Sequence, residues 1–437
     1  MIQIVIALVI SVAALIAVSR LKLHPFFALL LASMLFGVIM GKPFIEILTS
    51  MQTGFGSLLQ QIGFLVAIGS CLGMVMEKTG AMAALGTKII SAFGPSRTVL
   101  AMTAIGVLVG IPVFCDSGFI ILSRLIPALA SASTPSAQLS LALASGLYTT
   151  HTLVPPTPGP LAAAANLGAT PHLGLVMLIG LAGSIPVAGV AYVLSKKLGL
   201  KIKTLAHETS TTQTDPHPAL LIFLPLVIPI LLIAMASLPT LISGLQSWNS
   251  VLQIIGNPAV ALLIGLLFSF LLIRGKQKTA WPAWLSEALK DAGIILLITG
   301  AGGAFGSVIK SCGLDVLLKD MLSTSNANGV IFLFIAFGLA AILKTAQGSS
   351  TSAIIITSSI LAPLTSAAGF IAPLNLATLV LAIGGGAMAV SHANDSYFWV
   401  VSQFGNIAER DAYKSYTLIT LAQGITAWIV SILIFLL

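Results

Sequence analysis

GSCLGMVMEKTGAMAAL (residues 69–85) occurs again, with many of the same residue types, as GGAFGSVIKSCGLDVLL (302–318). Each residue of the second stretch is numbered 233 above its counterpart, as 302 against 69 and 318 against 85 show. The identical pairs are Gly69 and Gly302, Gly73 and Gly306, Val75 and Val308, Gly80 and Gly313, and Leu85 and Leu318. The alternative to an internal repeat is chance similarity between two glycine-rich apolar segments. A repeat predicts a chain built from two related halves.

The composition indicates that a membrane surrounds most of the chain. Hydrophobic residues make up 57% of its 437 residues and charged residues only 7%, whereas soluble domains carry about 25% charged residues. A membrane-spanning helix needs roughly 20 mostly apolar residues. Apolar blocks lie at residues 2–19, 24–41, 58–77, 98–130, 137–165, 173–195, 218–240, 252–273, 293–309, 329–362, 373–407 and 415–437. The sequence therefore predicts an all-α polytopic membrane protein with about 12 hydrophobic blocks.

The longest polar connection, from Lys196 to Pro218, divides these blocks into two sets. It contains four lysines and the Ser/Thr/Gln-rich run TSTTQTD, which is typical of a loop. We therefore expect a first transmembrane repeat at 1–196, a polar cytoplasmic linker at 197–217 and a second transmembrane repeat at 218–437.

Positive charges in the short connections predict the topology. Short loops rich in Lys and Arg stay cytoplasmic, which assigns the turn after Arg20, the 78–97 connection, the linker and Arg274–Lys278 to that side. Both termini then lie outside, and 69–85 crosses the membrane in the opposite direction to 302–318. This predicts two inverted-topology repeats, an arrangement common among secondary transporters. The Lys and Arg residues are scattered and form no single basic face, so no nucleic-acid partner is expected. The expected surrounding of the chain is the lipid bilayer.

Four polar stretches interrupt the apolar blocks. They are GIPVFCDSGFIIL (110–122), TTHTLVPPTPGP (149–160), LKTAQGSSTSAII (343–355) and GGGAMAVSHANDSYFW (384–399). Proline removes a helical hydrogen bond and clashes with the preceding turn. Irregular backbone at membrane depth is tolerated only inside the protein or beside a polar cavity. We therefore expect a re-entrant hairpin and a broken helix in each half.

Burying a charged side chain in a membrane costs roughly several kcal/mol unless the charge is paired or hydrated. Ionisable residues inside a membrane are therefore candidates for function. Asp116, His151, His392 and Asp395 are the candidate proton carriers. The alternative for the aspartates is a structural ion pair with Lys344, and for the histidines a satisfied structural role. Lys344 either pairs with a substrate carboxylate or extends its ammonium group to the membrane interface.

The hydroxyl-rich run after Gln347 suits an anion, because hydroxyls and a helix N-terminus cradle negative charge. The alternative is that these small residues serve helix packing. The candidate substrate-binding residues are Asp116, Ser117, Gly118, Thr150, His151, Pro155, Pro156, Gly159, Lys344, Gln347, Gly348, Ser349, Ser350, Thr351, Ser391, His392, Asn394 and Asp395. Glu77, Arg124 and Lys310 lie near segment ends and are interpreted mainly as interface charges.

No pattern in the sequence indicates an enzyme. A nucleophile elbow, a P-loop and a His/Glu metal-binding motif are absent, and GAGGAFG (300–306) lies in a membrane block rather than after a strand. Cys71, Cys115 and Cys312 lack the paired spacing of a metal site or disulfide framework. No metal or cofactor is therefore expected, and a source of coupling energy other than ATP is implied.

Seven motifs in the same order resemble the gluconate permease (GntP-type) family of bacterial sugar-acid symporters. They are HPFFALLLAS (24–33), FCDSGF (114–119), THTLVPPTPGP (150–160), IGNPAVALLIG (255–265), GAGGAFGSVIKSCGLD (300–315), LKTAQGSSTSA (343–353) and SHANDSYFW (391–399). The resemblance implies proton-coupled uptake of gluconate or a similar hydroxy acid across the bacterial cytoplasmic membrane. It also implies a homodimer with elevator-like movement, as in the broader ion-transporter superfamily.

Three positions depart from the pattern common in that family. Asp116-Ser117 stands where many members have Glu and an apolar residue, Thr157 stands where His is common, and Ser396 replaces Pro or Ala. The substrate therefore stays open among gluconate, glycerate, a four-carbon sugar acid and D-serine.

The sequence favours a proton symporter for a small hydroxylated carboxylate. Hydroxyls and helix ends around Ser117, Thr150 and Gly348–Ser352 would hold the anion, and Asn394 would bind substrate hydroxyls. Three alternatives remain: sodium coupling, a passive channel and, from another class, an intramembrane enzyme.

Overall fold

The computed structural model describes residues 24–437 apart from 95–96, 112, 132, 203–217, 236–248, 276, 313–327 and 393–394, together with residues 7, 10, 11, 13 and 14. The predicted polar linker and most of the first apolar block lie outside the described residues. The regular structure of the described part is helical, apart from one isolated β-bridge between Ser131 and Thr134.

The α-helices of the described part are numbered here in chain order. They are α1 (Pro25–Ile39), α2 (Phe44–Lys78), α3 (Ala81–Phe93), α4 (Thr98–Val109), α5 (Cys115–Leu122), α6 (Ile126–Leu129), α7 (Ser136–Leu153), α8 (Pro158–Asn166), α9 (Leu173–Gly199), α10 (Ala219–Met235), α11 (Asn249–Ile255), α12 (Pro258–Phe270), α13 (Gln277–Ser311), α14 (Asn328–Gln347), α15 (Ser350–Leu361), α16 (Pro373–Met388), α17 (Ser396–Phe404), α18 (Glu409–Lys414) and α19 (Tyr416–Phe435). Within the described residues, five segments are long and apolar enough to cross a bilayer, and they correspond to α2, α9, α13, α14 and α19.

The two longest helices, α2 and α13, form an antiparallel pair. Each has 35 residues, and 233 positions separate their starting residues, as in the sequence repeat. A Cβ atom built on Gly54 would lie 2.2 Å from the carbonyl oxygen of Gly303, so the two backbones touch there. At the far end of α2, Lys78 forms a 3.1 Å salt bridge with Glu287. Residues later in α2 therefore contact residues earlier in α13, as expected for antiparallel helices.

Helices α7 and α16 form the centre of the molecule. Buried residues run without a gap over 137–153 in α7 and 376–388 in α16. A Cβ atom on Gly384 would lie 2.4 Å from the carbonyl oxygen of Thr152, so the absence of a side chain lets α16 touch α7. Gln423 of α19 donates to Oγ1 of Thr149 at 2.7 Å and holds a third helix against this centre. The polar stretches at the ends of α7 and α16 are thus surrounded by protein.

Large apolar side chains cover much of the outer surface. Phe64 is 78% exposed, Ile185 75% and Leu220 71%, and each lies on a different helix. Water would disfavour an apolar surface of this extent, whereas lipid tails accept it. The exposed faces of the outer helices therefore suit a bilayer.

A helix break lies within each of the four polar stretches predicted from the sequence. The breaks lie between α4 and α5, between α7 and α8, between α14 and α15, and between α16 and α17. Gly348 has a left-handed backbone with φ of 79°, a conformation that costs glycine little. Val390 has φ of 56°, which is unusual for a β-branched residue and indicates local strain.

Several helices extend beyond the predicted apolar blocks or lie outside them, among them α3, α9 and α13. The 78–97 connection contains α3, in which Ala81, Leu85 and Ile89 are buried at a spacing of four residues. Helix α13 begins at residue 277 rather than 293, and α9 continues to residue 199, past the predicted boundary at 196. These segments are amphipathic or carry charges, so a block defined by continuous hydrophobicity omits them although one face packs against the protein.

Candidate functional site

The two breaks of the second half enclose a buried ion pair. Lys344, in the last turn of α14, donates from Nζ to Oδ2 of Asp395, the residue before α17. Their side chains are only 1% and 5% exposed, so each charge is compensated by the other rather than by water. Lys344 Nζ also donates to the carbonyl oxygen of Gly348 at 3.0 Å. The pair therefore ties the break after α14 to the break before α17.

Four hydrogen bonds hold Asp395 and Ser391 in place. Asp395 accepts from Ser391 Oγ at 2.5 Å and from the backbone N of Tyr397 at 3.1 Å, which caps α17. The backbone N of Ser391 donates to Oγ1 of Thr420 at 3.0 Å, and its carbonyl accepts from Thr417 Oγ1 at 2.6 Å. Because both threonines belong to α19, that helix fixes the position of the break.

The two breaks of the first half meet at His151. Its ring lies 6.1 Å from the ring of Phe114, centroid to centroid. A cavity of about 20 Å³ lies beside the two rings and extends to Pro156 and to Ser70 of α2. This volume is enough for about one water molecule. The Nδ1 atom of His151 is buried and has no hydrogen-bond partner among the described residues.

Asp116 lies in the first turn of α5, directly after the first break. Its Oδ1 atom is buried without a partner among the described residues, and Oδ2 accepts a weak 3.8 Å contact from Cys115 Sγ. Asp395 and Lys344 lie close enough to interact with it electrostatically. Asp116 therefore belongs to the same ionic cluster as the buried pair without being part of it.

Two tyrosines connect the halves at this cluster. Tyr397 of α17 donates to the carbonyl oxygen of Ala144 in α7 at 3.0 Å, and Tyr148 of α7 donates to that of Ala387 in α16 at 3.4 Å. Their ring centroids lie 5.4 Å apart, and Lys344 Nζ lies 5.7 Å from the centroid of the Tyr148 ring. The rings therefore form part of the wall of the ionic cluster.

Several predicted site residues have structural contacts in this conformation. Thr150 Oγ1 donates to the carbonyl oxygen of Val107 at 2.8 Å. A Cβ atom built on Gly118 would lie 2.9 Å from Leu147 Cδ2, and one on Gly159 would lie 2.8 Å from Ile354 Cδ1. These two glycines permit close packing, and Thr150 satisfies a carbonyl near the first break.

The remaining predicted residues lie along the breaks. Ser349 caps α15 by accepting from the backbone N of Ser352 at 3.2 Å, and Ser350 and Thr351 form the first turn. Pro155 lies in the break after α7, and His392, which is partly buried, lies in the break after α16. The side chain of Gln347 and the whole of Asn394 lie outside the described residues.

Sequence reasoning missed Phe114, Tyr148, Tyr397, Thr417 and Thr420 as members of the site. Of these five residues, only Phe114 and Tyr397 lie in the polar stretches selected from the sequence. A signal was available in the tyrosines, because three of the chain's five lie in this region at 148, 397 and 416. Nothing in the sequence indicated the threonines of α19.

The ionisable groups of the cluster are of two kinds. Lys344 and Asp395 neutralise each other, whereas Asp116 and His151 each bury a polar atom without a described partner. A buried carboxylate or imidazole without a fixed counter-charge is the kind of group that binds and releases a proton as its surroundings change. The arrangement is therefore suited to moving a proton through the protein interior.

Comparisons with known proteins agree with this architecture. A model of the GntP family permeases matches residues 2–437. The inner membrane permease YgbN of Escherichia coli (strain K12) is 32% identical over 95% of this chain and 95% of its own. A gluconate permease of Pseudomonas aeruginosa is 31% identical over 94% of this chain and 92% of its own.

The fold has a counterpart of known structure. The YdaH transporter of Alcanivorax borkumensis superposes with a TM-score of 0.70 at 14% sequence identity, covering 95% of this chain and 98% of that one. At this identity the likeness concerns the fold alone. The match of the family model over nearly the whole chain is the stronger finding, and it identifies this multi-pass membrane protein as a member of the GntP permease family.

Proposed function

We propose that this permease is a secondary active transporter that carries a proton and gluconate, or a related small sugar acid or hydroxy acid, into the cell. The observation that supports the proposal most is the presence of two buried groups without described partners, Asp116 and His151, beside a compensated ion pair. The relatives named gluconate permease and high-affinity gluconate transporter support the substrate class.

Charge balance explains why a proton and an anion would cross together. An anion that enters an apolar interior alone carries an uncompensated charge, and such a charge is costly there. A proton on Asp116 or His151 offsets it. Because Lys344 is already neutralised by Asp395, added negative charge at this cluster needs added positive charge.

The substrate would be held at the helix breaks. The N-terminus of α15, with its capping residue Ser349 and with Ser350 and Thr351 in the first turn, would bind the carboxylate, because backbone N–H groups at a helix N-terminus attract anions. Ser117, Thr150, Ser391 and Asn394 would contribute hydrogen bonds to the hydroxyl groups. The other predicted residues would shape the walls.

We further propose that the chain consists of two inverted repeats, at 1–196 and 218–437, each with a re-entrant hairpin and a broken helix, and that both termini lie outside. The antiparallel pair of 35-residue helices and the paired breaks support this arrangement. On the same basis we propose about 12 membrane segments and, from the resemblance to the superfamily, a homodimer in the cytoplasmic membrane.

The test is uptake by the purified protein in proteoliposomes under imposed gradients. With an alkaline interior and radiolabelled gluconate outside, we expect accumulation above the outside concentration, and we expect a proton ionophore to abolish it. A competition panel of gluconate, glycerate, four-carbon sugar acids and D-serine ranks the substrates.

Each rival gives a different result in the same vesicles. Accumulation driven by a sodium gradient at equal pH would replace the proton with Na⁺ as the coupling ion. Flux that only follows the substrate gradient would indicate a channel. A chemically altered product would indicate an enzyme.

A further inference from the structure

A polar cavity separate from the helix breaks lies between the α2/α13 pair and the ends of α8 and α15. Its volume is about 500 Å³, within the range of roughly 300–1,000 Å³ that small-molecule sites occupy. Gln61, Gly168 and Lys310 belong to its lining and are exposed, so the cavity opens to solvent. The cavity beside His151, by comparison, holds about 20 Å³.

The lining of this cavity matches a hydroxylated carboxylate. Lys310 is the one charged residue among the described residues that line it, and no carboxylate of the described part lies within salt-bridge distance of its ammonium group. The hydroxyl groups of Thr53, Ser57, Ser307 and Ser366 also line the cavity without hydrogen-bond partners in the described protein. One ammonium group and several available hydroxyls provide what a carboxylate with hydroxyl substituents needs.

The matching position in the other half has the opposite charge. At the repeat offset of 233, Lys310 corresponds to Glu77, because 310 and 77 differ by that number. Glu77 lines a cavity of only about 30 Å³, together with Asp291 and Ser117. The large cavity therefore has a cation in its lining, where the matching position of the other half has a carboxylate.

We propose that the large cavity is an outer vestibule in which Lys310 binds small carboxylates before they reach the helix breaks. The proposal rests on the proposed function and on the proposed topology, which puts the C-terminal end of α13 outside. The substrate waits in the vestibule because the space beside His151 is too small for it in this conformation.

The kinetic test compares three lysine variants in gluconate uptake by proteoliposomes. Lys310→Gln is expected to raise the apparent KM about tenfold with little change in maximal rate, because one charge-assisted contact is lost outside the coupling cluster. Lys310→Arg should restore most of the affinity. Lys290→Gln, at an exposed position on the same helix, is the matched control and should behave like the wild type. Salt should raise the KM of the wild type more than that of Lys310→Gln.

A labelling test reports binding without transport. Ser307→Cys, in a Cys312→Ser background, is modified by a membrane-impermeant maleimide added outside whole cells. We expect gluconate to slow this modification, and to slow it much less when Lys310→Gln is also present. Labelling only from the cytoplasmic side, or labelling that gluconate leaves unchanged, would overturn the vestibule.

The two proposals fail in different ways. If the wild type takes up no small carboxylate, the proposed function fails. If the wild type takes up gluconate while Lys310→Gln has an unchanged KM and salt response, the vestibule fails and the proposed function stands.

Discussion

At the residue scale, four ionisable side chains near the helix breaks have different surroundings. Lys344 and Asp395 are paired and buried, whereas Asp116 and His151 lack described partners for one buried atom each. The sequence predicted all four as candidates because each interrupts an apolar block. It left the pairing open, because partners 51 positions apart, as 344 and 395 are, meet only through the fold.

Breaking the buried pair should destabilise the protein far more than breaking a surface pair. Lys344→Met leaves Asp395 buried without its counter-charge, which costs about 3–5 kcal/mol. We expect a clear fall in the melting temperature in detergent, and partial recovery in the double variant Lys344→Met/Asp395→Asn, which removes both charges.

The control for this prediction is the partly exposed salt bridge between Lys42 and Glu46, whose side chains are 29% and 43% exposed. Lys42→Met should change stability by only about 0–1 kcal/mol. Equal decreases in melting temperature for Lys42→Met and Lys344→Met would contradict this prediction, because the buried pair would then contribute no more to stability than the partly exposed one.

At the element scale, prolines, glycines and polar clusters predicted where helices break, because these residues weaken or remove helical hydrogen bonds wherever they occur. The left-handed backbone of Val390 was not predictable, because a β-branched residue avoids that conformation unless its surroundings impose it. Helix α3 and the first turns of α13 were missed, because they pack through one face and lack a continuous apolar run.

The close approach of α2 and α13 should depend on Gly54. A Cβ atom there would lie 2.2 Å from the backbone oxygen of Gly303, so Gly54→Ala must push the helices apart and lower the melting temperature. Gly56, on the same helix, has nothing within 4 Å of a built Cβ atom.

Gly56→Ala is the matched control for this prediction. It should leave stability unchanged or raise it by up to about 1 kcal/mol, because alanine favours a helix. If Gly54→Ala is as stable as Gly56→Ala, the two helices do not touch at that crossing in the membrane.

At the scale of the whole molecule, the sequence predicted the helical membrane fold, because its composition requires membrane helices. The two inverted repeats and the number of membrane segments stay predictions. The sequence did not indicate the large cavity. The walls of that cavity come from four helices in both halves, and its polar residues look like ordinary interface residues when considered one helix at a time. Lys310 was interpreted as an interface charge for this reason.

The central claim is that a buried carboxylate at the helix breaks couples a proton to the substrate. Asp116→Asn removes the proton site and keeps the size of the side chain. It is compared in proteoliposomes with Glu46→Gln, a change at a surface carboxylate. Counterflow exchanges labelled for unlabelled gluconate and needs no net proton movement. Uptake driven by a pH gradient needs net proton movement.

We predict that Asp116→Asn retains gluconate counterflow and loses accumulation driven by the pH gradient, while Glu46→Gln retains both. Accumulation by Asp116→Asn at the wild-type level, with the wild-type dependence on pH, would contradict the account.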